Sequence, residues 1–148
     1  MTVYLDTSVV LRALLEAEDA VPGWGAWDRA YSSELMGVEA RRAFDRLRLE
    51  RALDDGGLAD AHGALAATER AIGLIRLTGA VLRRAGLPMP TSVKTLDAIH
   101  LASALLLAEQ REGGLVFGTC DRRQAMAARA LGFDVAWAPS GSGDAWHP

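Results

Sequence analysis

The chain has one cysteine, Cys120, in 148 residues. A lone thiol makes no internal disulfide, and with no second cysteine and no histidine at zinc-ligand spacing a structural zinc is excluded. Long apolar runs are missing as well: none approaches the roughly 18 residues needed to cross a bilayer, and the first residues lack the basic start and apolar core of a secretory signal. A cytoplasmic protein without membrane contact is expected. There is no excess of positive charge, the formal net charge being −3. That argues against holding nucleic acid by bulk electrostatics, which needs net cations against phosphate, and leaves a local basic groove as the remaining mode. Lysine is almost absent, with Lys94 alone among the cations and the rest arginine. Arginine pairs with phosphate through two parallel hydrogen bonds, although codon usage in a genome rich in G and C accounts for most of such a bias. No Gly-x-Gly-x-x-Gly or Walker pattern follows a strand, which removes the common nucleotide-binding folds. Aromatic and basic residues do not interleave, so a stacking platform for single strands is not expected.

What the chain does have is apolar material: half of its residues are hydrophobic. That suffices for one sizeable core and little more, so a single domain is expected over residues 1–138. Residues 139–148, with Ser140-Gly141-Ser142-Gly143, lack core-forming side chains and read as a loose tail. Thr2-Val3-Tyr4-Leu5 is a short β-rich run, and Asp6-Thr7-Ser8 offers capping side chains to a helix over Val9–Leu15. A short helical piece at Ala26–Arg29 leads to a strand at Tyr31–Ser33. A long helix is expected from about Glu34 to Leu53, with Met36, Ala40, Ala43, Phe44 and Leu47 along one face and Gly56-Gly57 as its stop. Further helices are expected at Leu58–Arg70, Thr78–Ala85, Ala98–Ala108 and Gln124–Leu131, and strands at Ile72–Leu77, Leu115–Gly118 and Phe133–Trp137. Short strands alternating with helices imply a parallel sheet covered on both faces, because parallel neighbours need crossover connections. The expected class is therefore α/β: a three-layer α/β/α sandwich around a central, mainly parallel, Rossmann-type sheet.

In such sheets ligands sit beyond the carboxyl ends of the strands, where the strand order reverses. Asp6 closes the first strand and Asp121 follows the strand ending at Gly118, so both belong to that edge. Asp97 opens the most apolar helix and Glu39 lies at the margin of its helix's apolar stripe, which lets four carboxylates meet. Two unit charges about 4 Å apart repel by about 4 kcal/mol at an effective dielectric near 20. A divalent cation or a raised pKa has to relieve this. Mg²⁺ suits an all-oxygen site that keeps waters and substrate phosphate as ligands, and it can activate water against a phosphodiester. Each acid also has a plainer role. Asp6 can cap a helix, Asp97 can answer the helix dipole beside His100, Glu39 can pair with Arg42, and Asp121 can shape a turn.

Taken together, the four acids carry a resemblance. Asp6-Thr7-Ser8 after an N-terminal strand, Ser33-Glu34-Leu35 with Val38-Glu39 and Arg42, Leu96-Asp97-Ala98-Ile99-His100-Leu101-Ala102-Ser103-Ala104, and Thr119-Cys120-Asp121-Arg122 with Leu131-Gly132-Phe133 resemble, in order, the four motifs of PIN-domain ribonucleases. The resemblance runs from Thr2 to about Trp137, and at this length it points to the VapC-type toxins of bacterial toxin–antitoxin pairs. It implies an endoribonuclease dependent on Mg²⁺ or Mn²⁺, with Asp6, Glu39, Asp97 and Asp121 as metal-site acids and Thr119 orienting them. Ser8 would act likewise, or serve only as a capping hydroxyl. A homodimer and inhibition by a small antitoxin protein are also implied.

Arg42 and Arg46 share a helix side with Glu39 and are candidates for RNA phosphate, as are Arg12, Arg122 and Arg123 near the same edge. His100, on a helix otherwise given to the core, reads as a hydrogen-bonded structural histidine, and Cys120 as a small core or rim residue. Trp24 and Trp27, with Val21 and Pro22, make an apolar patch that anchors the core or meets the antitoxin. Two non-catalytic alternatives remain. A receiver-like signalling domain needs paired acids before its first Asp and a late lysine, neither of which is here, and a PIN-like binding module should have lost its acids.

Overall fold

The structure, a computed structural model, describes residues 1–16 and 20–139, so all but the first residue of the expected tail lies outside the described residues. Within them the chain alternates strands β1 (Thr2–Leu5), β2 (Arg29–Ser33), β3 (Gly73–Ile75), β4 (Val116–Gly118) and β5 (Asp134–Ala136) with helices α1 (Thr7–Leu15), α2 (Leu35–Leu49), α3 (Asp55–Ala71), α4 (Gly79–Ala85), α5 (Thr95–Glu109) and α6 (Arg122–Ala130). The strands form one sheet in the order β3-β2-β1-β4-β5, every pairing parallel. The expected class holds, with parallel in place of mainly parallel. No described helix is long and apolar enough to cross a membrane.

β1 is the central strand, and its alternation divides the core. Val3 and Leu5 face a cluster built with Val9, Met36, Ala40, Phe44 and Leu65 of α1, α2 and α3. Tyr4 faces the other cluster, with Leu101 and Ala104 of α5, Phe117 of β4 and Ala127 of α6. A strand read by both helical layers must be apolar on both faces, which is why Val3-Tyr4-Leu5 shows no polar alternation. From β1 the chain moves outward through β2 to β3, then returns to the opposite side of β1 as β4. The reversal therefore falls between β1 and β4, where a crevice opens beyond the strand ends. Receiver-type sheets run 2-1-3-4-5, so this order removes that alternative.

Several expected boundaries moved, α3 and α5 each starting three residues early, and two differences have a clear cause: the short helix expected at Ala26–Arg29 and the end of α2. Residues 26–28 are irregular and bend, following a turn at 22–25, and β2 already begins at Arg29. Gly23 and Gly25 both take left-handed backbone, at φ 73° and 84°, which breaks any helical run. Asp28 is tied to the start of β1 through the chain's amino group and the Met1 carbonyl. Likewise α2 stops at Leu49, before the Gly-Gly pair. Arg51 takes φ 58°, and the N–H groups of Arg51 and Ala52 bond to the carbonyls of Arg48 and Leu47. This is a Schellman closure with arginine in the place glycine usually fills. Gly56-Gly57 instead lie in the first turn of α3, where the Asp54 carboxylate accepts from the Gly57 N–H at 2.8 Å. Glycine's helix penalty is offset there by a side-chain cap worth about 1 kcal/mol.

Gly118 is required for its lack of a side chain. A Cβ there would stand 2.6 Å from the Trp137 ring and 3.3 Å from the Tyr4 carbonyl. Trp137 in turn packs edge-on against Trp27, and its indole N–H donates to the Pro22 carbonyl at 2.9 Å. Gly118→Ala is therefore expected to lower unfolding free energy by about 1–3 kcal/mol through overpacking, with a changed near-ultraviolet circular dichroism signal from the displaced tryptophan. A variant that melts with the wild type and keeps its spectrum would show that the ring has room to move.

Candidate active site

The loops after β1 and β4 meet at the crevice, and Asp6 is where they join. Its carboxylate is buried and caps α1: Oδ2 accepts from the Ser8 N–H at 3.1 Å and from the Ser8 hydroxyl at 2.5 Å. The same oxygen is 3.2 Å from the Thr119 hydroxyl, reached from the end of β4. Ser8 closes the circle by accepting the Cys120 N–H at 2.9 Å. The helix cap and the contact with Thr119 are thus one arrangement.

Gln124, on the first turn of α6, went unnoticed in the sequence. It is fully buried, its Oε1 is 2.8 Å from the Thr119 hydroxyl, and its amide nitrogen has no partner among the described residues. One hydroxyl proton cannot serve both Asp6 and Gln124. With the amide turned over, its N–H donates to Thr119 and the threonine proton is released to Asp6, the assignment that gives the amide nitrogen a partner.

Glu39 comes from α2 and is turned onto two donors, the Thr7 hydroxyl at 2.5 Å and His100 Nε2 at 2.7 Å. It does not pair with Arg42, which bonds to Asp45 at 3.1 Å. Asp97 is at the third position of α5 and accepts from the Lys94 N–H at 3.3 Å. Asp121 caps α6, with Oδ1 accepting from the N–H groups of Arg123 and Gln124 at 2.7 and 2.9 Å.

All four acids line a single cleft of about 720 Å³, together with Arg42, Arg46 and Lys94. Lys94 is a second residue the sequence reading passed over as a candidate. Arg12 is not on the cleft wall; it bonds to Glu16 at 3.0 Å and lies beside the Cys120 thiol, whose pKa burial pushes up. Trp24 and Trp27 are away from the cleft, half-buried against the α1–α2–α3 core and packed edge-on at 5.0 Å. Their buried faces anchor this core.

The acids share a cleft without forming a coordination shell. Among the described residues, no three Asp, Glu, His or Cys side chains stand placed to hold a metal ion. The reason is visible: Asp6, Glu39 and Asp121 each spend an oxygen on internal donors. The donor set still fits a hard cation, since every candidate ligand is a carboxylate oxygen. The acids also act on one another. Burial raises the Asp97 pKa, and the negative charges of Asp6 and Asp121 add to the rise. Burial opposes protonation of His100, yet the bond to Glu39 and the charge of Asp6 outweigh it and lift its pKa above the ordinary value.

The structure is similar to that of VapBC-1 from nontypeable Haemophilus influenzae, at 12% identity and a TM-score of 0.60, covering 93% of this chain and 98% of that one. It is also similar to VapBC2 from Rickettsia felis bound to a DNA fragment from their promoter, at 11% identity and a TM-score of 0.58, covering 91% and 97%. At such identities the likeness is one of fold. No curated protein matches the sequence. A family model for the PIN domain matches residues 3–130.

Asp97 yields a stability prediction. A carboxyl whose pKa is raised by folding favours the folded state while protonated and costs stability as pH rises above its unfolded value and through its folded one. Without added metal, Asp97→Asn is expected to melt a few degrees above wild type at pH 8, with the gain shrinking as the pH falls and the wild-type carboxyl takes up its proton. A gain that is constant with pH, or a loss at pH 8, would contradict this electrostatic account.

Proposed function

This chain belongs to the PIN domain family, and from that premise we propose that it is a metal-dependent endoribonuclease acting as the toxin of a toxin–antitoxin pair. One observation carries the reading: Asp6, Glu39, Asp97 and Asp121, supplied by four separate segments, line one cleft at the reversal point of a parallel sheet. Asp6, Asp97, Glu39 and Asp121 would hold Mg²⁺ or Mn²⁺. When bound, such a cation supplies positive charge against a phosphodiester and lowers the pKa of water. The chain's own contribution is to hold the acids and the substrate. Ser8 and Thr119 fix Asp6, while Arg42, Arg46 and Lys94 offer cations to RNA phosphates at the rim. These cations give the local basic groove that a net charge of −3 leaves possible. Arg12, turned away, is assigned no contact with substrate.

The two similar structures are VapBC assemblies, which supports a cognate antitoxin as the partner of this chain; a homodimer is proposed on the family resemblance alone. Trp24 and Trp27 keep part of their surface exposed after packing on the core, and we assign that surface to the antitoxin. A non-catalytic binding module is the weaker reading because all four acids are present and lie in one cleft.

Incubating total RNA with purified protein in Mg²⁺, Mn²⁺ or EDTA tests the proposal. Discrete fragments should form only with metal. Asp6→Asn and Asp97→Asn, shown to be folded, should each slow cleavage by about 100-fold or more, the scale of losing preorganised charge at a reacting phosphate. Cleavage that persists in EDTA or survives both substitutions would remove the catalytic assignment.

A further inference from the structure

His100 is fully buried, and the reading above gives it no task. Its surroundings define its protons. Glu39 offers only an acceptor, so the 2.7 Å contact requires a proton on Nε2. On the far side of the ring, Nδ1 is 2.8 Å from the Tyr4 hydroxyl. Tyr4 is immobile: it belongs to β1, is fully buried and stacks on Phe117 with ring centres 5.3 Å apart and planes 14° from parallel. The Thr7 hydroxyl donates to the same Glu39 oxygen. A line of hydrogen bonds therefore runs from the rigid centre of the sheet, through the imidazole, to a carboxylate on the cleft wall.

We propose that His100 is a positioning residue for Glu39, transferring the fixed location of Tyr4 to that carboxylate and so setting the cleft's affinity for a divalent cation. This rests on the reading of the cleft as a cation site. An orienting partner behind a ligand carboxylate limits which way the carboxylate can face, and losing such a partner commonly costs 10–100-fold in metal affinity, so about that much is expected here. The competing account is that His100 merely fills core space, in which case its hydrogen-bonding ends are interchangeable.

Two substitutions separate the accounts, because each keeps a different end of the ring. In His100→Gln the amide nitrogen reaches the place of Nε2 and can still donate to Glu39. In His100→Asn the amide stops at the place of Nδ1 and keeps only Tyr4. Mn²⁺ dissociation constants are measured by electron paramagnetic resonance of the free ion, beside melting temperatures for each variant. Binding within about threefold of wild type for His100→Gln and at least about tenfold weaker for His100→Asn supports the proposal. Equal affinities, or losses that simply follow the melting temperatures, overturn it. A wild type that binds no Mn²⁺ overturns the cation-site reading, and this inference with it, whereas binding by wild type and His100→Asn alike defeats this inference alone. A third measurement does not depend on the variants folding. In the wild-type protein, nitrogen NMR of the His100 ring should show a proton on Nε2 and a resonance that moves on saturation with Mg²⁺. A bare Nε2, or a signal that stays in place, overturns the proposal.

Discussion

Asp6 is a buried carboxylate held by donors from two ends of the sequence, and the crevice depends on that bond set. An ionised carboxylate taken out of water without partners is penalised by several kcal/mol. Here Ser8 satisfies it from its own helix and Thr119 from the far side of the chain. The same contacts dock the β1 and β4 loops against each other, with the Asp6 N–H on the Gly118 carbonyl and the Cys120 N–H on Ser8. One cluster of hydroxyls thereby caps a helix, joins two strands that are distant in sequence and sets a buried acid in the lining of the cleft.

The cluster also explains why the acids crowd without collapsing. Each is anchored by backbone or hydroxyl donors: Asp97 by Lys94, Asp121 by its helix start, Glu39 by Thr7 and His100. These bonds offset the burial and the mutual repulsion that together raise the Asp97 pKa. Stability is given up locally to keep like charges together, as functional sites commonly do. With several lone pairs committed to the protein, a cation would have to compete for Asp6 and Glu39, and the hydrogen-bonding residues behind the carboxylates matter as much as the carboxylates.

Much of this was legible in the chain. Periodicity located the α2 stripe because Met36, Ala40 and Phe44 face one core, and strand–helix alternation implied the parallel sheet. The motif order placed the four acids, and the sheet edge explained why Asp6 and Asp121 share it. What was not legible depended on long-range contacts or on unusual backbone. The left-handed Arg51 ends α2 where no glycine marks it. Asp28 is held beside β1 by a backbone bond from its N–H to the Met1 carbonyl. Gln124 and Lys94 each lie two residues outside a motif already noticed, and nothing local reveals that one is buried against Thr119 and the other borders the cleft. His100 was read correctly as hydrogen-bonded, yet only the fold shows that its partner is Glu39 and not Asp97.

The pairing of β1 with β4 also orders events in time. Val3, Tyr4 and Leu5 lie beside Val116, Phe117 and Gly118, so the central strand gains its second neighbour only when more than a hundred residues have followed it. Contacts so distant in sequence form late and slowly compared with local helices. During synthesis the chain passes through lengths that already contain Asp6, Glu39 and Asp97 but lack Thr119, Asp121 and Gln124. Over that interval Asp6 has two of its three donors, and of the residues lining the cleft only Asp121 has yet to appear. A nascent chain thus holds three of the acids before the hydroxyl cluster that fixes Asp6 is complete, and that cluster closes only when almost all of the domain has left the ribosome.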